Sequence, residues 1–384
     1  NKRMLEATRL NSTIAGYCVH ALVGGDWVLG AGLLDLWRNP KTLVYEMTKE
    51  ANQEQITPIR ILPRNVYAEK GAQLEVHGVS ELTSEKVTVS VKISSKKGVV
   101  VYQNNFSSEF SNGISTLLST QLNTLNLEGT YTVNVEVKNT KGKVITSNYQ
   151  SFDVFQEKQL KTPSTKIAVV DFDNTLSEFL KSKNINFVSF NENLDKNIPV
   201  LVGKTSKKDK KYKEKVQELR TFAKQGGYVV FFEVLGKRVP GFARELKEME
   251  AETLPLEAEM QQKWATRGGW AAKSHVVSKH PIFKGLPTKI IMHGVYENVH
   301  PEVSISKIKG DYIAGLIGYD HFPNNEIMRR HFNGPGEVWW AADVLETQFG
   351  EGKMLLSTLR IIEFLDTDPV AEKLLYNIID YISK

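Results

Sequence analysis

Two aspartates, one residue apart, follow the apolar run Ile167-Ala-Val-Val170 in the stretch Asp171-Phe172-Asp173-Asn174-Thr175. A carboxylate pair just past a strand can supply a nucleophile and an acid/base, and can share a divalent cation. A second group of polar and aromatic side chains, His20, Asp26 and Trp27, lies at and just beyond the end of the apolar run Ile14–Leu22. The other acids near that loop, Glu6 and Asp35, lie on no strand end that would face it. Gly203-Lys204-Thr205 has the end of a phosphate-cradling loop, but Ile198 stands where that motif requires its first glycine. Six histidines fall between His275 and His331 at spacings that match no metal pattern, so no metal site is expected. The single cysteine, Cys18, excludes an intrachain disulfide and reads as a small buried residue.

The elements that must position these groups come in three blocks, a multidomain arrangement of α/β and all-β parts. The nearly unbroken run Ile14–Leu22 suits a strand buried on both faces, and Gly24-Gly25 ends it. Pro40 fits a first helical turn, and Leu43, Met47 and Ala51 share one helical face. Strand, loop and helix together make the last βα unit of a (β/α)8 barrel over residues 1–55, in which His20, Asp26 and Trp27 line the mouth. The alternative is that Trp27 packs the mouth and Asp26 caps a turn. The other seven units are not in the chain, so this block reads as the tail of a longer protein.

The second block, 56–157, alternates with period two: Val87, Val89, Val91 and Ile93 point one way, Thr88, Ser90 and Lys92 the other. Tyr131, Val133, Val135 and Val137 repeat the pattern, and Asn139-Thr-Lys-Gly142 reads as a hairpin turn. Closely spaced strands without helices predict an immunoglobulin-like β-sandwich, a spacer or buttress in the plain reading, and the alternative is a non-catalytic carbohydrate-binding or structural module. The third block, 164–384, alternates strand and helix: strands at Ile167–Val170 and Tyr228–Phe232, an amphipathic helix Tyr212–Gln225 ended by Gly226-Gly227, and a closing helix Pro369–Ile382. It predicts a doubly wound α/β domain.

The order Gly16-Tyr17, an acidic and aromatic loop, Gly32-Leu33-Leu34-Asp35, then Arg38-Asn39-Pro40-Lys41 and Tyr45 resembles the end of the catalytic barrel in glycoside hydrolase family 2. That family includes β-galactosidases, β-glucuronidases and β-mannosidases. Here His20 stands roughly where the family commonly has Trp, and Trp37-Arg38 replaces the usual basic pair, which leaves the sugar open. The resemblance implies a carbohydrate substrate, with Trp27 stacking on a pyranose face while Asp26 and His20 bind hydroxyls. It implies hydrolysis of terminal β-glycosides by two carboxylates about 5–5.5 Å apart. In the family those carboxylates come from earlier barrel strands, so no catalytic residue is expected in this chain and the chain alone should hydrolyse nothing. Family 2 enzymes carry β-sandwiches around the barrel. Polysaccharide-degrading bacteria export such enzymes, which points to the periplasm or the cell exterior.

The third block is similar to the class I glutamine amidotransferase-like, flavodoxin-like fold. An active amidotransferase needs a cysteine on a tight turn after its central strand. Glu233-Val-Leu-Gly236 is there instead, so the domain reads as a silent accessory. The stretch Val169–Leu176 resembles the first motif of haloacid dehalogenase-like phosphatases, with Asp171 as nucleophile, Asp173 as acid/base and Mg²⁺ as cofactor. Thr205 or Ser206 could follow, but Gly310-Asp311 lacks the second acid of that family. The plainer reading is a turn capped by Asn174 or Thr175. Trp264, Trp270, Trp339 and Trp340 could line a sugar groove; Trp339-Trp340, inside an apolar strand, reads as core or an interdomain face.

Composition sets the outer limits. A chain of 384 residues exceeds one ordinary core. A net charge of +5 is mild and argues against nucleic acid. No run of eighteen apolar residues is present, so no membrane span is expected. No cofactor is expected for the glycosidase reading. Association into a homo-oligomer is left open.

Overall fold

The computed structural model describes residues 2–19, 22–23, 32–35, 37–157, 160, 162–204, 211–234, 256, 259–262, 272–320 and 337–383. The chain divides into two compact units, Asn1–Gln159 and Leu160–Lys384. Strands dominate both.

The first unit opens with α1 (Lys2–Arg9), followed after an irregular stretch by α2 (Val44–Ala51). The described part of the apolar run expected as a buried strand forms none. Residues 11–19 carry no strand, and Ile14 and Tyr17 are 41% and 39% exposed. Cys18 is exposed as well, contrary to its reading as a buried residue. The physical reason is simple: a strand apolar on both faces needs neighbours on both sides, and no described strand pairs with this one. Beyond it, isolated bridges join Val23 to Leu34 and Leu34 to Pro40, with the Leu33 and Leu34 amides donating to the Leu22 carbonyl. Pro40 sits in that bridge, ahead of the helix rather than in its first turn. Of the expected face, Met47 and Ala51 lie in the helix and Ala51 is wholly buried, but Leu43 precedes it with φ +67 and is exposed.

Nine strands follow: β1 (Gln55–Ile56), β2 (Ile59–Leu62), β3 (Asn65–Tyr67), β4 (Ala72–Ser80), β5 (Glu85–Ser95), β6 (Val100–Phe110), β7 (Gly113–Leu122), β8 (Gly129–Asn139) and β9 (Val144–Phe155). They form a β-sandwich. One sheet joins β4 to β1, β2 and β7, and the other has the order β3-β9-β8-β5-β6. Their inner faces share one core. Ile61, Leu74, Val76 and Leu117 come from the first sheet, and Val89, Val91, Phe110, Val133, Val135 and Phe152 from the second. The period-two pattern explains this directly, since alternate side chains of a pleated strand leave on opposite faces. The β8–β9 hairpin closes where expected, with the Gly142 amide donating to the Asn139 carbonyl at 2.9 Å and Gly142 at φ +77.

In the second unit, β10 (Ile167–Val170), β11 (Phe187–Ser189), β12 (Val200–Val202), β13 (Tyr228–Phe231) and β20 (Gly352–Ser357) lie in the order β11-β10-β12-β13-β20. Every pairing among these five is parallel. The sheet continues antiparallel through β19 (Glu337–Phe349), β18 (Asp311–Asp320), β15 (Ala272–Val277) and β16 (Ile290–Ile291). A side pair, β14 (Glu259–Gln262) and β17 (Val303–Ser306), joins through β17 to β19. The helices are α3 (Thr175–Ser182), α4 (Lys211–Lys224) and α5 (Pro369–Ile382). α4 buries Leu219, Phe222 and Ala223 against the sheet, and Gly226 at φ +102 ends it. α5 is capped by Asp368, whose carboxylate accepts the Val370 amide at 2.8 Å.

Candidate functional site

The carboxyl ends of parallel strands are where open α/β sheets gather polar groups, above all where the strand order reverses. Here the reversal lies between β10 and β12. Three strand ends meet in register: the Gly203 amide donates to the Val170 carbonyl at 2.9 Å, and the Phe232 amide to the Val202 carbonyl at 3.1 Å. The residues just beyond are Asp171, Gly203-Lys204 and Glu233.

Asp171 is turned toward its own helix. Its Oδ2 accepts the Ser177 amide at 2.7 Å, and the Asp173 Oδ1 accepts the Thr175 amide at 3.1 Å. The two aspartates thus satisfy the free amides at the start of α3. The expected cap residues do not: Asn174 adopts a left-handed φ of +65 and makes no side-chain cap bond. The Asp171 Oδ1 is buried without a hydrogen-bond partner. A Cβ on Gly203 would lie 2.6 Å from it, so glycine is what leaves room for that carboxylate. Burial pushes the Asp171 carboxyl above the usual range, the Ser177 bond opposes this, and the neighbouring charge of Asp173 adds to it. Two of the four oxygens are thus engaged by backbone amides and a third is buried. Among the described residues no group of three or more His, Cys, Asp or Glu is gathered for a metal.

Glu233 occupies the turn after β13 with φ +47, a left-handed backbone that side chains with a Cβ adopt at a cost. Its side chain is 2% exposed. The carboxylate accepts the Glu363 amide at 2.6 Å and faces the Lys204 Nζ at 3.5 Å. Lys204 also lies 3.9 Å from Glu363, which pairs with Arg360. Burial raises the Glu233 carboxyl, with the Glu363 amide and Lys204 working against it. The residue at the turn after β13 is therefore a carboxylate held in a network with Lys204 and the Glu363 amide.

Another polar cluster lies on the antiparallel side. Asp343 is wholly buried; its Oδ2 lies 2.8 Å from the His275 Nδ1, and its Oδ1 accepts the Ser304 hydroxyl at 2.5 Å. The β18–β19 ladder shifts register between Ala314 and Gly315, so Asp343 is the extra residue of a bulge. The one carboxylate thus engages both the histidine and the serine, each through its own oxygen. Sequence reasoning missed the cluster because its members lie on three strands far apart in the chain. A lone aspartate within the apolar run Val338–Leu345 was the available signal.

His20, Asp26 and Trp27, the expected substrate-binding residues, lie outside the described residues. So do Thr205, Ser206, Trp264 and Trp270, and of Trp339 only its place in β19 is described. Trp340 is 62% exposed rather than core. Asp35 holds a tight turn, accepting the Trp37 and Asn39 amides at 2.9 and 2.8 Å. Glu6 is buried and accepts the Asn148 side-chain amide at 2.9 Å. Neither belongs to an acid pair.

No family model and no curated protein sequence matches the chain. Solved structures do show local likeness. An exo-chitosanase of Amycolatopsis orientalis is 20% identical over 40% of this chain and 18% of that one, with a TM-score of 0.30. A β-D-mannosidase from Dictyoglomus thermophilum is 22% identical over 36% and 16%, at 0.26. A β-glucuronidase of Bacteroides uniformis is 10% identical over 49% and 26%, at 0.24. The chain thus spans less than a third of each. All three are named as carbohydrate-processing enzymes, and at these scores the likeness assigns no family. No described helix is long and apolar enough to cross a membrane.

Proposed function

We propose that this chain is the C-terminal part of a glycoside hydrolase similar to family 2, which cleaves terminal β-glycosides by a retaining double displacement. Its catalytic carboxylates belong to barrel strands encoded upstream of Asn1, and the first block supplies the last βα unit, with His20, Asp26 and Trp27 at the substrate. The β-sandwich is an immunoglobulin-like buttress. The second unit is an amidotransferase-like, flavodoxin-like accessory, a reading supported by the order β11-β10-β12-β13-β20 with all five strands parallel. The working site is periplasmic or extracellular.

The observation that carries the reading is the succession itself. The segment Gly16–Tyr45 resembles a family 2 barrel end, and a two-sheet sandwich follows it directly. The caps made by Asp171 and Asp173 favour an accessory role for the second unit over a phosphatase. The reading is tested with aryl β-glycosides on this chain and on the same chain extended by its natural upstream residues. Turnover by the extended protein alone supports it. Turnover by this chain, or an upstream region without a glutamate at two barrel-strand ends, overturns it. Hydrolysis of p-nitrophenyl phosphate with Mg²⁺, abolished by Asp171→Asn, would establish the phosphatase instead.

A further inference from the structure

Among the described residues, one side of the sandwich is thinly guarded at its sheet edges. β6 is the outer strand of the five-stranded sheet, and β7 is an outer strand of the other. They run 11 and 10 residues. An outer strand presents a row of backbone N–H and C=O groups, which proteins guard with lysine, proline, bulges, short length or a cover; here each strand carries one bulge, at Val101 in β6 and at Leu117 in β7. The other outer strands are guarded: β1 has 2 residues, β3 has 3, and β2 has 4 between Pro58 and Pro63. From Gly98 to Leu127 there is no lysine and no proline, and Glu109 is the single charged residue, in a chain that is 24% charged overall. Val99, Val100 and Val101 are 62%, 43% and 37% exposed along the same edge.

We propose that two copies of this chain associate through that edge, β6 of one pairing antiparallel with β6 of the other about a two-fold axis at Asn105. The occupant follows from the missing charge. A two-fold contact sets each residue near its own copy. A charge at the axis would meet its like, and like charges directly opposite destabilise a ladder. An edge without charge meets that requirement. A different protein would impose no such demand and would be matched by complementary charge. Asn105 is the midpoint of β6, and with Gln103 and Ser107 it is exposed. In this register Gln103 faces Ser107 and Tyr102 faces Ser108, clear of the bulge at Val101, and Glu109 meets no other acid. The pairing continues the five-stranded sheet across the axis and satisfies the outward backbone groups of Tyr102–Ser108 on both copies.

Sedimentation velocity on the 384-residue chain across the micromolar range tests this. The wild type is expected to be dimeric. Asn105→Lys and Asn105→Glu should each weaken the dimer at least about tenfold, because like charges then meet on the axis. Mixed in equal amounts, the two variants should recover a dimer, since lysine then faces glutamate. Recovery separates the proposed pairing from simple misfolding, which mixing would not repair. A wild type that stays monomeric throughout, a dimer indifferent to Asn105→Lys, or a mixture that remains monomeric overturns the proposal.

Discussion

Gly78→Ala puts the geometry of the sandwich to a quantitative test. Gly78 lies in β4, opposite Ser115 of β7. A Cβ there would lie 2.4 and 2.7 Å from ring carbons of Phe110 and 2.9 Å from the Ser115 hydroxyl. Phe110 is wholly buried at the end of β6, in the core shared by both sheets. Its ring therefore cannot swing away without displacing that core. Forcing a methyl group into such a place costs about 1–3 kcal/mol. Since 1 kcal/mol moves the melting temperature of a unit this size by roughly 2–4 °C, the loss is readable in a thermal scan. The informative assay is a double-mutant cycle by urea denaturation of Gly78→Ala and Phe110→Leu, separately and together. Phe110→Leu alone loses buried aromatic surface, while in its presence the added methyl finds room. The expected result is a favourable coupling of about 1–3 kcal/mol, most of the Gly78→Ala penalty. Additive effects, or a Gly78→Ala protein as stable as wild type, would refute the packing of β4 against Phe110.

Glu346 accepts hydrogen bonds from the Tyr228 and Tyr381 hydroxyls and from Lys353, the last two at 3.0 and 2.9 Å. Burial alone would raise its carboxyl, but these three donors outweigh it and hold it below the usual range. The stabilisation is present above the unfolded carboxyl value and is lost as pH falls through the lower folded one. Glu346→Gln should cost about 1.5–3 kcal/mol at neutral pH and much less in acid, as melts at both pH values will show. Asp171 has the opposite sign: burial raises its carboxyl, so ionisation costs stability as pH climbs from the unfolded value through the folded one. Asp171→Asn keeps an acceptor for the Ser177 amide and should melt higher than wild type at neutral pH, the gain vanishing in acid; a variant destabilised equally at both pH values would contradict this. Gly203→Ala should destabilise the second unit by about 1–3 kcal/mol through its contact with the Asp171 carboxylate, and Asp171→Ala should relieve most of that in a denaturation cycle.

The sandwich was legible because one face of each strand must be apolar. Val87, Val89, Val91 and Ile93 are buried, and Thr88 and Lys92 between them are exposed. The parallel strands of the second unit were equally plain, since Ile167–Val170 is buried throughout. Two kinds of feature were not legible. A run such as Ile14–Leu22 has the composition of a buried strand whatever surrounds it, and composition cannot say whether neighbours are there to cover it. The antiparallel extension and its Asp343 cluster depend on contacts among β15, β17 and β19, where no local spacing signals that His275, Ser304 and Asp343 will meet. The capping role of Asp171 and Asp173 shows the same limit. A carboxylate pair after a strand looks alike in sequence whether it faces a ligand or its own helix, and only the direction of the Ser177 and Thr175 amides distinguishes the two.

The most direct test of the account is steady-state hydrolysis of aryl β-glycosides, measured side by side on this chain and on the chain carrying its natural upstream residues. The account predicts background rates for the former and turnover for the latter, lost when either of two upstream glutamates is changed to glutamine. Hydrolysis by the 384-residue chain alone, or an extended protein that cleaves no β-glycoside, would contradict it.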